Sequence, residues 1–264
     1  MSNHLSLRSG NPVLRSDTFI SRHTVTDSGT MTIMGTVNKT ALCLLLLMTT
    51  AIFVWNLSPS DPRTSMLMIV GVFGGLIVAL ITAFKRHLAP YTTPIYALLE
   101  GLALGGISKF FEVMYPGIVN QAVFLTFGTL AALLFAYRSG LIKPTENFKL
   151  GIVAATGGIF FVYLISFILG IFGGNIPLVH SNSNFGILFS FGVVVIAALN
   201  LVLDFDFIEE GAERGAPKYM EWFGAFGLLV TLIWLYLEIL HLLCQILMKC
   251  FLNYKLSLFH LSYL

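Results

Sequence analysis

Seven long apolar runs, joined by short polar connections, constrain this chain more than any other feature. They lie at about 41–57, 66–84, 94–110, 121–137, 150–172, 185–203 and 220–248. Each reaches the roughly 17–25 residues that a helix needs to cross a bilayer core. Lipid offers no partner for free backbone N–H and C=O groups, so helices are the expected form. A transmembrane barrel needs alternating segments of about ten residues, and none is present. Composition agrees: 56% of residues are hydrophobic, 11% are charged, and the mean hydropathy is +0.85. A soluble domain carries about 25% charged residues. The expected class is an all-α polytopic membrane protein with seven transmembrane helices.

The positive charges orient it. With the N-terminus inside, the inner segments hold Arg8, Arg15, Arg22, Lys39, Lys85, Arg86, Arg138, Lys143, Lys149, Arg214 and Lys218. The outer segments hold only Arg63, Lys109, Lys249 and Lys255. That bias predicts a cytoplasmic N-terminus, and seven spans put the C-terminus outside unless the last helix is re-entrant. Residues 1–38 read as a disordered cytoplasmic tail, 39–248 as the transmembrane domain, and 249–264 as a short apolar extension suited to the membrane interface. The first apolar run begins too late for a secretory signal. Inside the helices, Gly101-x-x-x-Gly105 and the pair Gly157-Gly158 predict close helix–helix approach.

Several function classes drop out. A net charge of +2 with no long basic run does not suit a nucleic-acid partner. Cys43, Cys244 and Cys250 form neither a disulfide framework nor a zinc pattern. The six histidines are scattered, and no nucleotide loop, zinc-protease or serine-hydrolase motif occurs. No enzymatic activity and no cofactor are expected. The partners expected from composition are the lipid bilayer and, through the acids below, small cations or protons.

The chain has 13 acidic residues. Seven crowd the end: Asp204, Asp206, Glu209, Glu210, Glu213, Glu221 and Glu238. Glu209, Glu210 and Glu213 read as solvated charges beside Arg214 and Lys218. Glu221 opens the last apolar run, where an acid suits a helix N-terminus. Glu238, in WLYLEILHLL, lies deep in that run with Thr231, Trp234 and His241 near its face. An ionisable residue there is a functional-site candidate by default, its bland alternative being a protonated Glu bonded to a neighbouring helix. Asp204 ends the sixth run on the face of Asn200. Asp206 points elsewhere, and Glu100 in YALLEGLALGG either binds or merely pins helix packing.

Close carboxylates in a membrane have two uses. Sharing a proton, they titrate nearer neutrality. Ionised, they offer hard oxygens to a divalent cation such as calcium. A basic residue at the inner helix ends can tie one of them down. Lys85 and Arg86 are placed for that, with Arg86 preferred for its guanidinium geometry, or they simply anchor the inner face.

Five segments carry a family resemblance: TMTIMGTVNKTALCLLLL, PYTTPIYALLEGLALGGISKFFE, YPGIVNQAVFLTFGT, AYRSGLIKPTENFKLGIVAATGG and LVLDFDFIEEGAERGAPKYMEWFGAFGLLVTLIWLYLEILHLL. With the NPVL near the N-terminus, they resemble the Bax inhibitor-1 (transmembrane Bax inhibitor motif) family, in its bacterial YccA-type branch. The likeness covers roughly residues 31–248. It implies seven helices with the last one central, a bacterial inner membrane, and a pH-sensitive calcium leak governed by one acid on each of the last two helices. Those acids fall on Asp204 and on Glu238 in Tyr236-Leu237-Glu238, where many relatives carry Asp. They are thus the expected pH-sensing and calcium-binding pair, with Arg86 as basic lock and Glu100, Asp206 and Glu221 as secondary candidates. The alternative expectation is a non-conducting protein that regulates a membrane protease, another membrane protein or a stress pathway.

Overall fold

A computed structural model describes residues 29–58, 61–172 and 183–261, with side chains described as far as Phe251. Most of the expected N-terminal tail with its NPVL, part of the 173–184 connection and most of the C-terminal extension lie outside the described residues. Seven helices follow in order: α1 (Ile33–Trp55), α2 (Pro62–Phe84), a 3-10 turn (Arg86–Leu88), α3 (Ala89–Met114), α4 (Ile118–Arg138), α5 (Glu146–Ile171), α6 (Asn184–Glu213) and α7 (Met220–Leu261). Among the described residues the only strand-like pairing is the isolated bridge Thr30–Pro217.

Local chemistry sets the helix starts. Thr32 Oγ1 accepts from Gly35 N at 3.0 Å and caps α1, well upstream of the apolar run at 41. Asp61 accepts from Arg63 N at 2.9 Å, with Pro62 at the first helical position of α2. Ser183 accepts from Gly186 N at 3.2 Å at the head of α6. Gly117, with φ 90°, turns α3 into α4, a backbone conformation that other residues rarely adopt.

Among the described residues six helices are long and apolar enough to cross a membrane, all but α3. The molecule is therefore an integral multi-pass membrane protein. Helix α3 is less lipid-like because its surroundings are protein. Its buried residues include Thr93, Gly101, Gly105, Gly106, Ser108 and Lys109, and it packs against α1, α2, α4 and α7.

Helix α7 is the axis of the bundle. Its spanning window is 56% buried, against 39% for α6 and 6% for α5. It touches α1, α3, α4 and α6. Leu229, Leu235 and Leu240 are fully enclosed, and Phe226 meets Tyr96 of α3 edge-on at 5.0 Å.

Between lipid-embedded helices, close backbone approach substitutes for hydrophobic drive. At Gly101 a Cβ would lie 1.9 Å from Thr50 Oγ1 and 2.3 Å from Leu47 O, so α1 and α3 touch there backbone to backbone. At Gly105 it would meet Ala51 O at 2.6 Å. Gly71 does the same for α2, with Ala103 N at 2.5 Å. Gly157 and Gly158 do not follow the expectation: nothing lies within 4 Å of a Cβ at either, because α5 sits at the bundle's margin.

Candidate functional site

The polar groups inside the bundle fall into four clusters, three of them built on α7. The first centres on Asp204, two and a half turns from the end of α6. Thr231 of α7 presents its hydroxyl to this carboxylate. The other oxygen, Oδ2, is shielded and has no hydrogen-bond partner. Asp204 lines a cavity of about 410 Å³ with Lys149, Asp206, Glu210, Phe223 and Gly227. Gly227 of α7 faces this carboxylate: a Cβ there would stand in ordinary contact, 3.6 Å from Asp204 Oδ1. Asn200, expected on the same face, turns away and donates to Thr156 Oγ1 at 2.9 Å and to Ile196 O at 2.8 Å.

Asp206 is tied to α5 by a 2.6 Å ion pair with Lys149. Glu210 pairs with Arg214 one turn on, and Glu209 accepts from the Tyr137 hydroxyl. Two of the three acids read as solvated loop charges therefore sit on α6 with partners. Among the described residues Arg86 meets no carboxylate; its guanidinium packs over the Phe223 ring at 5.2 Å. Phe223 walls the Asp204 cavity, so the cation in that wall is Lys149 and Arg86 stands behind the ring.

The second cluster is Glu238, buried at 7% exposure. Tyr163 of α5 donates to both carboxylate oxygens, at 2.9 and 3.0 Å. Trp234 Nε1, one turn earlier on α7, donates at 3.1 Å. His241 instead pairs with Gln245 at 3.1 Å. No hydrogen bond joins Glu238 to Asp204. Thr231, which faces Asp204, precedes Glu238 by seven residues, a rise of about 10 Å along the helix.

The third cluster is Glu221, which is fully buried. It accepts from Thr32 N at 2.9 Å, Thr32 Oγ1 at 2.8 Å and Lys218 Nζ at 2.8 Å, and it pairs with Lys39. Met31 N donates to Ala216 O at 2.7 Å beside it. Glu221 thus fastens the head of α1 to the head of α7, a larger role than a helix-start charge. The fourth, Glu100, lies against α2: a Cβ at Gly75 would be 2.7 Å from its Oε1. Tyr96, one turn earlier, supplies its hydroxyl.

Four partners carry little signal in the sequence. Tyr163 is an ordinary aromatic in an apolar run. Thr32 and Lys39 look like a flank and a membrane anchor. Lys149 left a faint signal, a cation near the first turn of a span, where the helix dipole prefers an acid. Among the described residues no group of three or more His, Cys, Asp or Glu side chains is arranged to hold a metal. Asp204, Asp206 and Glu210 nonetheless bring carboxylates to one cavity beside the α6–α7 contact.

Residues 11–248 match the family model described as Bax inhibitor 1 like. No curated protein and no solved structure matches the chain.

Proposed function

The chain belongs to the Bax inhibitor 1-like family, and from that premise we propose that it is a pH-sensitive cation leak pathway of the membrane, with calcium as the ion. The observation that carries this reading is the shielded, unpartnered Oδ2 of Asp204 at the wall of a cavity. A buried polar atom left without a partner costs roughly 1–3 kcal/mol, and more when charged. Such a group is poised for a proton or a cation. Calcium takes six to eight oxygen ligands in flexible geometry. Asp204, the Thr231 hydroxyl and water would supply several of them.

Glu238 is the second station, about 10 Å further along α7. Tyr163 and Trp234 hold its carboxylate in one orientation. At this spacing the two acids act in succession along the helix. Protonation of either removes the charge that draws a cation in, so flux falls as pH falls. Arg86 contributes by steadying Phe223 in the cavity wall.

The finer placement belongs to the same proposal: the bacterial YccA-type branch, the inner membrane, a cytoplasmic N-terminus, and α3 as a seventh span about α7. The test is calcium flux into proteoliposomes over a pH series. Flux should rise with pH in the native protein and lose that dependence in Asp204→Asn and Glu238→Gln. Absence of flux in the native protein at every pH would leave the regulatory, non-conducting reading in its place.

A further inference from the structure

The cavity that contains Asp204 already holds a cation of its own. Lys149 rises from the first turn of α5 and lines the same space. Its ammonium is 2.6 Å from Asp206 Oδ2, and both side chains are largely covered, at 26% and 22% exposure. Its other contact, Glu146 at 3.3 Å, is 90% exposed and screened by solvent. Glu210 is committed to Arg214. Asp204 Oδ2, in the same wall, has no donor. One tethered ammonium thus stands among acids of unequal satisfaction, tied to one and shared by none of the others.

We propose that Lys149 is a built-in competitor of the permeant cation: Asp206 parks its ammonium at the cavity wall, and released from Asp206 it moves onto Asp204 and blocks the site. This rests on the cation-leak reading above and adds to it the element that sets the leak's magnitude. A long, flexible, compact point charge suits such a role, since it can exchange one carboxylate for another without rebuilding a planar geometry. Asp204 and Asp206 are two residues apart on α6 and diverge by about 200° around the helix, yet both line the cavity into which Lys149 projects, which is the space its stem would cross.

The decisive feature is the double variant. Losing a wall cation and losing a wall anion move cation flux in opposite directions by charge alone, so the single variants fix only the signs. A competitor predicts that the loss caused by replacing Asp206 runs through Lys149 and vanishes when Lys149 is replaced as well. Lys149→Gln removes the resident charge, and calcium flux in proteoliposomes should rise by about ten-fold or more, since even with the dielectric of water one unit charge about 4 Å from a divalent ion is worth more than a factor of ten. Asp206→Asn frees the ammonium for Asp204, and flux should fall. The double variant should behave like Lys149→Gln. Lys149→Arg keeps the charge and should keep flux at or below the native level.

A second readout separates this proposal from the reading it rests on. Terbium, a luminescent trivalent stand-in for calcium, is titrated into the detergent-solubilised full-length protein, so no transport is needed. Lys149→Gln should tighten terbium binding and Asp206→Asn should weaken it, with binding abolished in Asp204→Asn. Flux in the native protein with unchanged or same-sign effects in the two single variants, or with an Asp206→Asn loss that persists in the double variant, would overturn the competitor role alone. Terbium binding with the predicted signs, and with the double variant binding like Lys149→Gln, but no calcium flux would support the competitor role and overturn the leak. Neither binding nor flux would overturn both.

Discussion

The Glu221 cluster offers the sharpest test of how the bundle is held together. Its carboxylate accepts two bonds from Thr32 and contacts with Lys39 and Lys218, all within a site from which Glu221 itself is fully withdrawn from solvent. Glu221→Ala orphans the Thr32 N–H and leaves two ammonium groups without a counter-charge. Hydrogen bonds to a charged group are worth about 1.5–3 kcal/mol each. Lys218 is 45% exposed and re-solvates cheaply, so its share is below about 1 kcal/mol. Lys39, 18% exposed, does so less easily. The total is about 3–5 kcal/mol, the range for removing one partner of a buried ion pair. At about 2–4 °C per kcal/mol for a chain of this size, the melting temperature should fall by roughly 10 °C. Glu221→Gln keeps the shape and both Thr32 bonds but turns an amide donor toward Lys39, and should lose about half as much. Gly35→Ala should reproduce the larger loss from the other side, because its Cβ would lie 2.2 Å from Glu221 Oε1. The assay is thermal unfolding of the purified protein in detergent, followed by tryptophan fluorescence. A melting temperature within about 2 °C of native for Glu221→Ala would refute the reasoning, by showing that the Met31–Ala216 backbone bond and the Thr30–Pro217 bridge hold that junction without the carboxylate.

Three further outcomes follow from the packing and the polar clusters. Gly101→Ala should cost far more stability than Gly157→Ala: the first drives a methyl into Thr50 and the Leu47 carbonyl, whereas the second meets open space and gains up to about 1 kcal/mol of helix propensity. Detergent melting of the two variants, side by side, checks the order. Tyr163→Phe removes the donor to both Glu238 oxygens, so it should change the pH profile of calcium flux in the native background and do nothing further in Glu238→Gln. Equal effects of Tyr163→Phe in both backgrounds would show that the tyrosine acts elsewhere. Phe223→Ala opens the cavity wall and frees Arg86 from its ring, so it should weaken the pH response of flux and leave the Glu238 cluster's response to Tyr163→Phe intact.

What could be read in the sequence, and what could not, divides along physical lines. Long apolar runs report their environment directly, so each of the seven falls on a helix, the first overrunning α1 by two residues and the fifth overrunning α5 by one. The boundaries were less legible: α1 begins at Ile33 because Thr32 can cap it, and a polar cap sends no signal in a hydropathy pattern. Gly101 and Gly105 were legible as a contact motif, while Gly157-Gly158 shows the same residue type without a neighbour. Glu238 declared itself by depth in an apolar run. Asp204 did not, and only the family resemblance singled it out. The partners were hidden because they come from other helices: Tyr163 is 75 residues from Glu238, and Thr32 is 189 from Glu221. Arg86 was preferred on its charge and its side of the membrane, and neither property foretells that its guanidinium stacks on Phe223 while Lys149 takes the acid.

The central claim is that Asp204 admits a cation when ionised and excludes it when neutral. Its most direct measurement is calcium uptake by proteoliposomes containing native protein or Asp204→Asn, at one acidic and one alkaline pH, with equal protein incorporation verified. The account predicts a native flux that is several-fold greater at the alkaline pH and an Asp204→Asn flux that is low and the same at both. An Asp204→Asn protein whose flux rises with pH as steeply as the native one would contradict it.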